Sequence, residues 1–121
     1  MTGRPWLPPL VWAGVIIFAT SVPSTFVPRQ LGPYDKVVHF GMYAVLAALV
    51  TSAIAHKQGL VKAVAVTVIA VAAFGAVDEW HQQFIPGRSM DVMDWVADSI
   101  GGIIGVIAAS LIRPRWSKRQ A

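Results

Sequence analysis

All six carboxylates of this chain fall in three short stretches, each with other polar groups in or beside it. Asp35, Lys36 and His39 form the first; Asp78, Glu79, His81, Gln82 and Gln83 the second; Asp91, Asp94 and Asp98 the third, with Arg88 just ahead of it. Such a set suits two kinds of chemistry. Lys36 and Arg88 would meet an anion while Glu79, Asp91 and Asp94 accept hydrogen bonds, which is recognition of a polar group. Alternatively, Asp94 and Asp98, four residues apart, could hold Mg²⁺ or Mn²⁺ through oxygen with Asp78, Glu79 or His39, the arrangement of metal-assisted phosphoester chemistry. On that second reading Glu79, Asp94 and His39 are the catalytic candidates, and Asp94, Asp98 and Glu79 the metal ligands. Zinc through His39 and His81 lacks any H-x-x-x-H or H-E-x-x-H relation. There is no cysteine, so thiolate chemistry and Cys-based metal sites are excluded. No Walker loop, dinucleotide fingerprint or serine triad occurs; Ser89 and Ser99 stand alone.

The elements that must position these residues are apolar. Of 121 residues 55% are hydrophobic and 13% charged, against about 25% charged in an ordinary soluble domain. Four stretches approach the roughly 17–25 apolar residues needed to cross a bilayer. They lie at about 6–22, 37–55, 60–85 and 91–112, the third stopping at Pro86. None alternates with a period of two, and Gly and Ala are frequent, as in packed membrane helices. The fold expected is an all-α bundle of four transmembrane helices in a single domain over 1–121. The first stretch has a signal-peptide layout but is read as a retained helix, because its removal leaves a three-helix remnant.

With four spans, Arg4, Lys57, Lys62, Arg113, Arg115, Lys118 and Arg119 share one side, and Arg29, Lys36 and Arg88 the other. This asymmetry places both termini in the cytoplasm. The basic tail, with Trp116, reads as an anchor on anionic lipid rather than a nucleic-acid patch. Every carboxylate then lies at or beside the extracytoplasmic end of a helix. Asp91, Asp94 and Asp98 fall within about 60° of one another on a helix, and Gly101 and Gly105 continue that stripe as a close-packing face. Asp35, His39 and Tyr43 are spaced one turn apart; Asp78 and Gln82 share a face with Gly75. Asp98 is only ~6–9 Å inside its helix, which suits a recess at the outer interface better than a transporter site at the midplane.

A structural account of the same residues has Asp91 and Asp94 capping a helix, Arg88 pairing with one of them, and His39 donating to Asp35 or Asp78. Only Lys36 and Arg88 are available as cations, so the acids outnumber their partners.

The stretch Asp-Lys-Val-Val-His-Phe-Gly-Met-Tyr at 35–43 resembles the opening motif of the VanZ-like family. Asp78-Glu-Trp-His-Gln-Gln-Phe-Ile-Pro-Gly-Arg88 is similar to its E-x-x-Q…P-G-R motif, and Asp91, Asp94, Gly101 and Gly105 to its D-x-x-D…G-x-x-x-G pattern. The resemblance spans roughly residues 30–107. It implies that Asp35, Lys36, His39, Glu79, Gln82, Arg88, Asp91 and Asp94 are shared polar positions; at Asp98 the family more often carries Asn. It also implies a bacterial membrane protein linked to low-level resistance to glycopeptide antibiotics, especially teicoplanin. The expected role is an outward recess, built from Asp35, Lys36, His39, Asp78, Glu79, Gln82, Arg88, Asp91, Asp94 and Asp98, that binds a cell-envelope lipid, a lipid-linked cell-wall precursor or the antibiotic. A metal-dependent membrane enzyme and a structural or assembly protein, including an oligomer joined through glycine faces, are the alternatives.

Overall fold

The computed structural model describes residues 4–120, leaving aside the side chains of Leu31 and residues 113–120, so the basic tail and its Trp116 lie outside the side chains described. It is all-helical: α1 (Leu7–Ser21), α2 (Asp35–Gln58), α3 (Leu60–Gln82) and α4 (Val92–Gln120), with short 3-10 turns at Ser24–Phe26 and Arg29–Tyr34. The stretch around α2 (Gly32–Gln58), α3 and the Val92–Ile112 part of α4 are long and apolar enough to cross a membrane. α1 is apolar but shorter, 15 residues against the expected 6–22. Prolines in its first turn cost no intrahelical hydrogen bond, whereas Val22 is already extended, as a residue before proline prefers.

The other boundaries also shift. α2 begins at Asp35, directly after a 3-10 turn, and runs on to Gln58. α3 stops at Gln82 instead of 85, because the chain tightens ahead of Pro86: Phe84 N–H donates to His81 O, Ile85 to Gln82 and Arg88 to Ile85. α4 starts at Val92 and continues past 112 through Pro114 to Gln120, a stretch otherwise rich in the good helix formers Arg, Lys and Gln. Between α2 and α3 stands one residue, Gly59, at φ +84°, a conformation open to glycine at little cost.

The usual distribution of polarity is inverted. Val61, Ile69, Ile103, Ile107, Leu111 and Phe18 are exposed, while Thr20, His39, Thr51, Thr67, Asp78, Glu79, Gln82, Asp94 and Asp98 are buried. In water this arrangement would be unstable; in hydrocarbon an apolar outside is solvated and polar groups must turn inward. A small apolar core of Ile16, Tyr43, Leu46, Ala47, Val71 and Val106 lies between the helices. α4 approaches α2 most closely. A Cβ on Gly101 would meet the backbone carbonyl of Phe40, and one on Gly105 that of Ala44, so the glycine stripe is the contact surface. Gly75 of α3 lies against α4, where a Cβ would sit 3.3 Å from Asp98. Two indoles tie helices together: Trp12 Nε1 donates to Met42 O (2.8 Å) and Trp95 Nε1 to Ala72 O (2.9 Å).

Candidate functional site

The polar ends of α2, α3 and α4 meet around one imidazole. His39, one turn into α2, is buried, and its two ring nitrogens face different pairs of carboxylates. Nδ1 is 2.8 Å from Asp98 Oδ1 and 3.8 Å from Glu79 Oε1. Nε2 is 3.8 Å from Asp35 Oδ1 and 4.0 Å from Asp94 Oδ2. Asp94 and Asp98, expected to act as a pair, are therefore divided by the ring that lies between them. The expected bond from His39 to Asp35 or Asp78 is replaced by one to Asp98.

Each carboxylate has its own support. Glu79 accepts from Gln82 Nε2 at Oε1 (3.0 Å) and from the backbone N–H of Asp91 at Oε2 (3.2 Å), which ties the end of α3 to the start of α4. Asp91 lies just before α4, and its Oδ1 accepts the N–H of Met93 (2.9 Å), an N-cap contact. That bond and the neighbouring Lys36 ammonium hold the Asp91 carboxyl below the usual carboxylate range. Lys36 Nζ also reaches Asp94 Oδ1 (3.0 Å).

Arg88 takes no part in that pairing. Its Nε donates to Val22 O (2.7 Å) and its Nη2 to Ala19 O (3.2 Å), satisfying carbonyls at the C-terminal end of α1. The link that carries Arg88 is fastened to the α1–α2 connection by a bond from Ser24 N–H to Pro86 O (3.1 Å). Gly87, at φ +76°, lies against the Ser24 side chain, where a Cβ would not fit.

Asp78 belongs to a separate cluster. It is fully buried, and its oxygens accept from the hydroxyls of Thr20 (2.7 Å) and Tyr43 (3.0 Å), joining α1, α2 and α3. Nothing in the sequence marks Thr20, one of two hydroxyl residues at the end of an uncharged apolar helix, and spacing places Tyr43 only on the His39 face.

A cavity of about 520 Å³ opens above this framework. Its polar lining is Asp35, His39, Gln82, Arg88, Asp91 and Asp94; Thr20, Ser24 and Ser89 add hydroxyls. Phe26, Val27, Pro28, Val38 and Met42 supply an apolar wall. Four of the ten residues expected in the recess are not among those lining it: Asp78, Glu79 and Asp98 are buried between the helices, and Lys36 is turned onto Asp91 and Asp94. The wall formed by the α1–α2 connection escapes a search for charged residues, since its contribution is apolar. His81 joins neither of the two groups of His and carboxylate atoms that come within 4.8 Å of one another among the described residues.

Residues 5–113 match the family model described as VanZ/LLP1. The chain belongs to the VanZ/LLP1 family. That match contains every residue of the His39 cluster, the Asp78 cluster and the cavity lining. No curated protein and no solved structure shows a significant match to this VanZ/LLP1 chain.

Proposed function

We propose that this VanZ/LLP1 protein is a multi-pass protein of the bacterial cytoplasmic membrane, with both termini inside, whose outward recess binds a cell-envelope component or a glycopeptide antibiotic. The supporting observation is the two-sided lining of the 520 Å³ cavity: carboxylates and His39 on one wall, Phe26, Val27 and Pro28 on the other. Such a mixture fits a ligand with a polar group on an apolar body, such as a lipid headgroup, a lipid-linked cell-wall precursor or an acylated antibiotic. Lys36 is already held by Asp91 and Asp94, and part of Arg88 by the α1 carbonyls, so the lining presents acceptors above all. The group recognised is therefore a donor, an amine or hydroxyl cluster against Asp35 and Asp94, rather than a bare anion.

The test is teicoplanin susceptibility in a host that tolerates expression of the full chain. Wild-type protein should raise the inhibitory concentration, and Asp35→Asn or Asp94→Asn, at equal membrane abundance, should return it toward that of the empty vector. Variants that protect as well as wild type would remove the recess from the explanation. A reporter fused after Ala121 should be cytoplasmic; an external signal would invert the recess.

A further inference from the structure

Below the recess, one donor atom from each of three helices converges: His39 Nδ1 from α2, Glu79 Oε1 from α3 and Asp98 Oδ1 from α4, all within 4.8 Å of one another. We propose that this trio is a binding site for a divalent transition-metal ion, held by one imidazole nitrogen and two carboxylate oxygens. The proposal does not depend on what the recess binds.

Four observations carry it. First, His39 Nδ1 is 2.8 Å from Asp98 Oδ1, a hydrogen bond that an ion would replace, and 3.8 Å from Glu79 Oε1, both within the reach of ligands sharing an ion at about 2.0–2.2 Å. Second, all three side chains are buried, and among the described residues no Lys or Arg forms an ion pair with Glu79 or Asp98. Two carboxylates in a dry interior call for a compensating charge, and a divalent ion supplies two. Third, Asp98 is 0% exposed and its second oxygen, Oδ2, has no hydrogen-bond partner among the described residues, so the carboxylate whose Oδ1 faces His39 keeps unmet acceptor capacity. Fourth, outer-shell partners stand close by, Asp35 Oδ1 at 3.8 Å and Asp94 Oδ2 at 4.0 Å from Nε2. When Nδ1 coordinates, the ring proton sits on Nε2, which faces Asp35 and Asp94, the carboxylate–histidine–metal relation that fixes a ligating imidazole. Glu79 is likewise oriented by Gln82 and the Asp91 N–H.

The outer group of Asp35, His39 and Asp94 is the weaker candidate, because Lys36 already neutralises Asp94 and Asp35 is half exposed. An imidazole together with two carboxylates favours Zn²⁺ or Mn²⁺ over Ca²⁺ or Mg²⁺, which prefer oxygen alone. His39 and Gln82 line the cavity, giving an ion a route from the membrane surface.

The full chain in lipid nanodiscs, stripped with chelator, reloaded with Zn²⁺ and desalted, should retain a single Zn²⁺ per chain by elemental analysis. In chelator competition, Asp98→Asn and Glu79→Gln should weaken Zn²⁺ by on the order of 100-fold or more, and Asp35→Asn by about 10-fold, as for an outer-shell partner. No retained Zn²⁺ in wild type overturns the proposal; so does an Asp35→Asn loss equal to or larger than that of Asp98→Asn. If the inner variants fail to fold, wild-type protein loaded with Mn²⁺ decides: its electron spin echo should carry modulation from a single coordinated ¹⁴N, and absence of that modulation rejects His39 as ligand.

Discussion

The Thr20–Asp78–Tyr43 cluster allows a quantitative test of what holds α1 onto the bundle. Asp78 is fully buried, and its carboxyl accepts one hydroxyl from α1 and one from α2. Tyr43→Phe removes a single oxygen and keeps the ring that packs 5.9 Å from Phe74, so its effect isolates the hydrogen bond. Hydrogen bonds between membrane helices average about 0.6 kcal/mol and reach about 1.7 kcal/mol. A buried acceptor left without its donor costs about 1–3 kcal/mol. At full burial the higher part of the membrane range applies, so Tyr43→Phe and Thr20→Val should each cost about 1.5 kcal/mol, roughly a tenfold change in the folding equilibrium. Together they strip both donors from the buried carboxyl, and the combined loss should exceed the roughly 3 kcal/mol sum of the singles, because the second loss leaves the acceptor with no partner at all. Adding Asp78→Leu to the double variant should recover part of that loss, because no unpaired acceptor then remains. Reversible unfolding in mixed micelles, followed by tryptophan fluorescence, reads all four proteins. A double variant within about 0.5 kcal/mol of wild type would refute the reasoning, and strict additivity would refute the shared-acceptor part of it.

Two other outcomes follow from the packing. Gly105→Leu should disrupt the bundle, because any Cβ there meets the Ala44 carbonyl, whereas Ile104→Leu on the exposed face should shift the melting temperature little; equal effects on monodispersity and melting would mean that the glycine face is not a helix contact. Arg88→Gln should cost about 1–3 kcal/mol through the carbonyls of Ala19 and Val22 and should speed amide exchange in the last turn of α1, measured by mass spectrometry; unchanged protection there would deny Arg88 its capping role.

What could be read from the residues, and what could not, divides along a physical line. Hydropathy and the 3.6-residue period place Asp35, His39, Asp91 and Asp94 at one end of their helices, and the structure puts them around a common cavity. Periodicity gives the face and depth of a residue on its own helix but not the rotation of one helix against another. That rotation decides that His39 bonds to Asp98 rather than Asp35 or Asp78, and that Lys36, not Arg88, pairs with Asp91 and Asp94. Charge alone points Arg88 toward an acid, whereas its partners are backbone carbonyls, which every residue carries and no sequence pattern marks. Thr20 escaped for the same reason: its importance comes from Asp78, 58 positions away. Helix ends moved where local geometry overrides hydropathy, as in the tightening of the chain between Gln82 and Pro86.

The one-residue reversal at Gly59 bears on how the molecule is made. With one residue between them, α2 and α3 form a tight helical hairpin that can enter the bilayer as one unit. On that route the end that carries His39 and the end that carries Glu79 would travel together and meet before the last helix is threaded. α4, following in chain order, would then pack its glycine stripe onto α2 and bring Asp91, Asp94 and Asp98 to partners already in place. Lengthening that reversal would uncouple the two insertions and expose His39 and Glu79 to lipid singly during biogenesis.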